Sequence, residues 1–481
     1  MSNTSSILSK LSAPLAIAFV FAANALAFQY PDDSTAFTLA DTSRGALVNL
    51  HGQLLDSAAM TNLSNAPTHY DNSASIRIFL DGKFTDAFRF AARVKVSTDH
   101  TNRDINDHFY NPNEGIPFNK QNENKRTWDL FAANASYHLA PLTLLAGFDY
   151  LEVGPARRHH VILRGEKSIY RPWQDSSSRI YDPAPTPYFG YEFAIGPIIY
   201  TQHAARLFEK KGAGKYFHNH RLAINLPFDI QLGLSETSLY GSTTENAGTN
   251  PNADADSSKR EMEWAYVIPF IPYVFEEHLL GDQDNISLAF DLSVKTIPDW
   301  EFYAELLWDD MKSPTSMFDD SWWGNKWAAT LGIARDDLHV GPVTMDWFTE
   351  YTRVEPWVYT HHKGGGYTYV NYAQSLGSDL GPNSQELHGE LSASWKFVKA
   401  TLAAGAIAKD TAFGGNVTDI HGPADRTDKV FLNDDTTIRY KELGGALSVN
   451  PWFWMSIRAS YTRYFGDYEG FRATMAGSIQ F

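Results

Sequence analysis

Polar and apolar residues alternate with a period of two along much of this chain. Between Arg472 and Phe481, Ile479, Gly477, Met475 and Ala473 share one parity, and Gln480, Ser478, Ala476, Thr474 and Arg472 share the other. Residues 387–397 set Gly389, Leu391, Ala393, Trp395 and Phe397 against His388, Glu390, Ser392, Ser394 and Lys396. Residues 453–465 set Phe453, Met455, Ile457, Ala459 and Tyr461 against Ser456, Arg458, Ser460 and Thr462. Residues 343–352 set Val343, Met345, Trp347 and Tyr351 against Thr344, Asp346, Glu350 and Thr352. Successive side chains of a strand point to opposite faces, so each segment predicts a strand with one apolar and one polar face. Charges in mid-strand are costly in a sandwich core and suit a hydrated lumen.

Long polar stretches rich in Asn, Asp, Gly, Ser and Pro separate these segments at residues 99–126, 242–260, 311–325, 361–386 and 410–437. Shorter junctions, Leu226-Pro227-Phe228-Asp229 and Ile297-Pro298-Asp299, have the chemistry of tight turns. Long loops alternating with short turns is the pattern of bacterial outer-membrane barrels. Phe481 is the aromatic on which such a barrel closes; the alternative is an ordinary amphipathic strand at a domain end.

The N-terminus reads as a secretory signal. Lys10 precedes an apolar run from Leu11 to Ala23, and Ala25-Leu26-Ala27 is a small-x-small cleavage site, so residues 1–27 are expected to be removed. The remainder of roughly 454 residues, at about 10 per strand plus connections, accommodates some 16–18 strands. The expected fold is therefore all-β, a large antiparallel transmembrane β-barrel forming one domain over residues 28–481, of 18 strands or alternatively 16.

Composition fits that expectation. Aromatics make up 14% of the chain, yet mean hydropathy is −0.33. Helical membrane proteins cannot be so polar, whereas a barrel can because alternate residues face water. Without cysteine the chain has neither a disulfide framework nor a thiolate nucleophile. Net charge is −16, and removing Lys10 with the signal leaves 39 basic and 56 acidic residues, a net of −17. That balance argues against a nucleic-acid partner.

Several segments resemble the Wzi-type capsule-assembly family of outer-membrane barrels. "EYTRVEPWVYTHH" from Glu350, followed by "YAQSLGSDLGPNSQEL" from Tyr372, carries most of the likeness. "HRLAINLPFDIQLGLSETSLYG" from His220 is similar to the family's strand-turn-strand with its Gly-Leu-Ser-Glu element. So is "IPFIPYVFEEHLLGDQDNISLAFDLSVK" from Ile268, followed by "EFYAELLWDD" from Glu301 and "WGNKWAATLGI" from Trp323. "EVGPARRHHVIL" from Glu152 occupies the place of the family's Trp-Gly-Pro-Gly loop, with Val153 for the Trp and Ala156 for the second Gly. The resemblance implies 18 strands, a lumen obstructed by loops, and a non-enzymatic surface lectin that retains capsular or extracellular polysaccharide. Its expected partners are that polysaccharide, lipopolysaccharide and outer-membrane lipid, and the barrel-assembly machinery. A saccharide-selective porin or exopolysaccharide export channel is the competing expectation.

Glycan binding needs flat apolar faces for sugar C–H groups and donors for hydroxyls or carboxylates. Trp357, Tyr359, His361, His362, Tyr367 and Tyr369 combine both beside Gly364-Gly365-Gly366; the alternative is an interfacial aromatic girdle with an ordinary loop. Within residues 157–179, Arg157, Arg158, Arg164, Lys167, Arg171 and Arg179 stand against Glu166 and Asp175, with Tyr170 and Trp173 interleaved. In an acidic protein this reversal suits an anionic polysaccharide; lipopolysaccharide phosphates or ion pairs across the lumen are the alternatives. Arg221, Glu236, Asp309, Asp310, Glu350 and Arg353 read as lumen salt-bridge networks, with a direct ligand role for Arg353 as the sharper option. The polysaccharide-binding set is thus Arg157, Arg158, Arg164, Trp173, Arg353, Trp357, Tyr359, His361 and Tyr367. Asp282, Asp284 and Asn285 form an oxygen-rich turn too short for a Ca²⁺ loop, the histidine pairs His159-His160 and His361-His362 lack metal-ligand spacing, and neither a cofactor nor a metal is expected.

Overall fold

A computed structural model of the chain describes residues 37–41, 46–64, 68–97, 116–117, 127–167, 169–173, 183, 185–207, 214–241, 260–280, 284–310, 313–362, 365–371, 374–423 and 425–481. The expected signal segment 1–27, Asp175, Arg179, Asp282 and most of the polar stretches 99–126 and 242–260 lie outside the described residues.

Eighteen antiparallel strands form a closed barrel. They are β1 (Ala46–Leu63), β2 (His69–Lys83), β3 (Phe88–Ser97), β4 (Thr127–Leu139), β5 (Leu142–Asp149), β6 (Thr186–Ile195), β7 (Ile198–Leu207), β8 (Lys215–Leu226) and β9 (Ile230–Gly241). The second half comprises β10 (Asn285–Val294), β11 (Trp300–Asp310), β12 (Lys326–Val340), β13 (Val343–Val354), β14 (Ser384–Trp395), β15 (Val398–Asp410), β16 (Thr437–Trp452), β17 (Met455–Gly466) and β18 (Gly470–Gln480). Each strand pairs with its sequence neighbour, and β18 returns to β1 in the register Leu54↔Ile479 and Leu63↔Gly470. Eight short turns gather at one end, and the strand ends joined by the nine other connections lie at the opposite end. At the turn 227–229, Phe228 and Asp229 both take positive φ, 69° and 54°, the left-handed conformation of a tight hairpin turn.

The alternation sorts side chains as its parity requires. Leu144, Leu234, Phe290, Leu331, Leu391 and Leu443 are exposed on the outer wall, while Glu305, Glu350, Glu386 and His388 are buried on the lumen face. Trp395 shares its parity with exposed Leu387 and Leu391, and Met455 pairs with Ile479, which pairs with Leu54, so both stand on the outer face. Glu236 and Arg353 depart from the lumen assignment: Arg353 shares the outward parity of Tyr351 and pairs with Ala329, which pairs with outward Leu306. Glu236 pairs with Leu288 and lies on the outer face beside Leu234, whereas Arg221 points inward and holds Asp291 at 2.6 Å. The segment 268–284 also departs from a plain strand-turn-strand, because it contains the helix α1 (Tyr273–Leu280) before β10 begins.

The closing seam runs one residue past β18. Gly52 N–H donates to the Phe481 carbonyl at 2.8 Å, and Phe481 N–H donates to the Gly52 carbonyl at 3.1 Å. The Phe481 ring lies over Gly52, where a β-carbon would collide with it, so the aromatic covers the bare backbone of the facing strand. Deleting Phe481 removes both bonds and that cover. The folded, heat-modifiable barrel recovered from membranes should fall several-fold, far more than for an outer-wall control such as Leu443→Ala. Equal recovery of the two variants would defeat this assignment.

Candidate functional site

The loop joining β5 to β6 turns into the lumen. Its entry is Gly154, at φ +107°, and a β-carbon there would strike the Glu305 carboxylate, so glycine is what lets the backbone reach the wall. Val161, Ile162 and Leu163 are fully buried against inward-facing Ala205, Phe217, Leu239, Ala289, Leu307 and Val354. Burial of each such side chain is worth about 1.5–3 kcal/mol. The hydroxyls of Tyr359 and Tyr369 donate to the carbonyls of Val161 (2.8 Å) and Ile162 (3.0 Å).

Three wall carboxylates hold the polar part of this plug. Glu305 on β11 accepts the N–H groups of Ala156 (2.9 Å) and Val161 (2.8 Å) and lies 2.8 Å from His160 Nδ1. Glu350 on β13 accepts the N–H groups of Arg157 (2.9 Å), Arg158 (3.0 Å) and His159 (2.7 Å), with the Tyr303 hydroxyl at 2.9 Å. Glu386 on β14 meets Arg158 Nε (2.8 Å), His159 Nε2 (3.0 Å) and Arg171 (2.7 Å). Arg157 adds a bidentate pair with Asp336, at 2.7 and 2.6 Å, and reaches Glu301 at 3.0 Å; Arg158 reaches Glu442 at 3.0 Å. Towards β17 and β18, Tyr170 lies 6.5 Å from Tyr464 and under the Arg472 guanidinium at 4.1 Å. Glu166 meets Arg93 of β3 at 3.3 Å. The plug therefore touches wall strands on all sides of the lumen.

His159 carries a carboxylate on each ring nitrogen, Asp379 at 2.8 Å on Nδ1 and Glu386 at 3.0 Å on Nε2. Burial alone would lower its pKa, but the two carboxylates outweigh burial and raise it, although Arg171 also lies 2.9 Å from Nε2. Burial likewise opposes the Asp379 carboxylate, and Arg171 and His159 overcome it to hold that carboxyl far below the ordinary range. Glu386, His388 and Glu442 bring potential metal-ligand atoms within 4.8 Å of one another, but the Arg158 guanidinium already bridges the two carboxylates.

On the turn side of the plug the lumen opens into a cavity of about 890 Å³, lined by Arg157, Lys167, Arg221 and Lys295 and by Glu152, Asp229, Asp291 and Glu301. On the other side three loops form a cap. Trp323 N–H donates to the Thr427 carbonyl (2.9 Å), Lys429 N–H to Asp320 (2.9 Å) and Trp357 N–H to Gly414 (3.0 Å). Half-buried rings crowd there: His421 stacks on Trp323 at 3.8 Å and 6°, and Trp357 lies edge-on to both, at 5.9 and 5.1 Å.

The nine sequence-predicted binding residues divide between plug, rim and cap. Arg157, Arg158 and Tyr359 lock the plug, and Arg164 is buried in a two-residue strand paired with Glu152 and Val153. Trp173 is edge-on to Tyr440 at 5.7 Å. Arg353 bonds Glu355 at 2.6 Å and lies over Phe431. His361 stacks on Tyr367 at 5.3 Å, and Tyr367 is itself buried beside Tyr240 and Tyr266. Trp357 alone of the nine belongs to the cap aromatics. Sequence reasoning missed Trp323 and His421 as its partners, and missed Glu305 and Glu386; the polar parity of the two acids on their strands was their one visible signal. Of the lesser candidates, Asp309 accepts the Tyr359 N–H at 2.7 Å, and Asp284 accepts the Tyr266 hydroxyl at 2.8 Å and pairs with Arg260.

Among solved structures, the barrel is similar to the Escherichia coli outer-membrane protein Wzi, involved in group 1 capsule assembly and described as a carbohydrate-binding β-barrel. The TM-score is 0.55 at 13% identity, over 89% of this chain and 84% of that one. It is also similar, at a TM-score of 0.47 and 8% identity over 90% and 98% of the two chains, to Pseudomonas aeruginosa OpdK, solved with vanillate. The outer-membrane protein OprD of the same organism gives a TM-score of 0.43 at 10% identity over 94% and 97%. No protein-family model and no curated protein sequence matches the chain. The likeness to Wzi places the fold among outer-membrane β-barrels.

Removing one partner of a buried, hydrogen-bonded charge group costs on the order of 3–5 kcal/mol. Glu386→Ala should therefore loosen the plug and raise single-channel conductance in planar bilayers well above that of the parent chain; identical traces would show that the clamp does not hold the loop. The His159 contribution has a pH sign. Its raised pKa makes the stabilisation complete below the ordinary histidine value of about 6.5, and the stabilisation is lost as pH rises through the folded value. Opening events should become more frequent on the alkaline side, and His159→Gln should flatten that trend.

Proposed function

We propose that the protein sits in the outer membrane with its long loops outside, as a non-enzymatic lectin that holds capsular or extracellular polysaccharide at the cell surface. The observation that carries this reading is the pairing of a lumen crossed by a clamped plug with a tied cap of Trp323, Trp357 and His421 above it. Such a barrel is built to present a surface, and flat rings beside polar loops suit sugar C–H faces. The resemblance in segment order and the likeness to Wzi support the same reading. The apolar outer wall meets lipid, lipopolysaccharide borders the rim, and the barrel-assembly machinery inserts the chain. A saccharide-selective porin or export channel is the second reading, supported by the 890 Å³ polar cavity beneath the plug.

Planar-bilayer conductance separates the two: near silence of the parent chain supports the lectin, and a large steady open current supports the pore. One ring contributes about 0.5–1.5 kcal/mol, so retention rests on many repeats of a polymer meeting many barrels. Trp323→Ala with Trp357→Ala should weaken pull-down of the producer's surface polysaccharide by roughly 5- to 150-fold, from two such rings, and release polysaccharide into the medium at unchanged protein level. Full retention by the double variant would remove the cap from the binding site.

A further inference from the structure

Five polar residues stand on the outer wall where neighbouring strands present leucine and phenylalanine. Gln202, His218, His220, Glu236 and Ser238 share the face of Leu234 and Phe290 through the register of β7 to β10. Uncovered in hydrocarbon, each would leave unsatisfied polar atoms at high cost. Yet Gln202, His218 and Ser238 are 0% exposed. The cover is the segment 260–280, which descends from the loop end and lies against the outside of the barrel. Gln202 Nε2 donates to the Tyr266 carbonyl (2.8 Å) and the Tyr273 hydroxyl (2.7 Å), and Tyr273 N–H donates to Glu236 (2.7 Å). Nearer the turn end, the Tyr191 hydroxyl donates to the Val267 carbonyl (2.8 Å) and Phe270 N–H to the Tyr200 hydroxyl (3.2 Å).

The covering segment is turned inside out. α1 buries Tyr273, Glu276 and Glu277 against the wall and exposes Val274, Phe275 and Leu279, the last at 88%. Trp264 and Phe270 are exposed on the same side, at 66% and 64%. A helix facing water would carry its carboxylates outward and its apolar side chains inward. This one matches hydrocarbon, and its exposed side continues the apolar wall formed by Leu144, Leu234 and Phe290. We propose that residues 260–280 form a strap embedded in the bilayer, contacting lipid acyl chains on one side and sealing a polar patch of the barrel wall on the other. The strap is a short non-strand element at membrane depth, held by wall bonds to the Tyr266 and Val267 carbonyls and to the Tyr273 N–H and hydroxyl, with the Glu276 carboxylate buried behind it without a hydrogen-bond partner among the described residues. This rests on the membrane reading proposed above.

The absence of cysteine makes single nitroxide labels clean. Full-length protein in phosphatidylcholine vesicles would carry one label at Phe275→Cys or Leu279→Cys, with Leu443→Cys as a wall control and Asp425→Cys as a loop control. Power saturation with oxygen and with a water-soluble nickel chelate then reports depth. Strap labels should match Leu443→Cys, with oxygen favoured and the chelate excluded. If the wall control is oxygen-favoured but the strap labels behave like Asp425→Cys, the strap proposal fails and the membrane reading stands. If the wall control itself is chelate-accessible, the membrane reading fails with it. Dipolar coupling between Leu279→Cys labels of two copies would overturn the lipid contact in favour of a second chain.

Discussion

Everything inside this barrel depends on the contact between three wall carboxylates and the N–H groups and cations of one loop. Glu305, Glu350 and Glu386 are each buried, a position in which a lone carboxylate is strongly disfavoured. The loop residues that meet them, from Ala156 to Val161, offer N–H groups and cations that would be equally costly to bury alone. Each side removes the other's desolvation cost, so neither an empty lumen nor an extended loop is comfortable for this sequence. Gly154 is the steric condition for the contact, since any side chain there would hold the backbone off Glu305.

Strand positions and facing were legible because the period of two is local, and the turns at 227–229 and 297–299 carried their own chemistry. The weakness of the same signal lies in what it omits. Parity says which face a residue takes but not what covers that face. Glu236 therefore read as a lumen charge from its polar character, although the outer wall at that height is sealed by chain that comes some forty residues later. Helix α1 read as part of a strand-like segment because its apolar run reflects hydrocarbon on one side rather than a protein core. The basic segment from Arg157 left internal ion pairs and a polysaccharide anion equally open, since its partners lie on strands 144 to 284 residues away. The aromatic cap was half visible: Trp357 stood out, but His421 and Trp323 reach it only through the folding of three separate loops.

Plug and cap assign different work to residues of similar type. Tyr359 and Trp357 are two positions apart, yet the first hangs its hydroxyl on the plug and the second joins the half-buried rings above it. A substitution in the first group acts through the state of the lumen, and one in the second acts on the surface. Under the two functions proposed above, conductance and glycan retention therefore respond to different residues.

The order of the clamp along the chain has a consequence for assembly. The plug leaves β5 in the first third of the sequence, while its anchors belong to β11, β13, β14 and β16. Of the strands that precede it, the loop meets Arg93 of β3 through Glu166, and its carboxylate clamp is missing until those later strands arrive. Once β18 has met β1, the same loop would have to enter through a finished rim already crowded by three other loops. The geometry therefore couples the stopper to the sealed cylinder, because the carboxylates that hold a loop of the first third of the chain belong to strands of its second half.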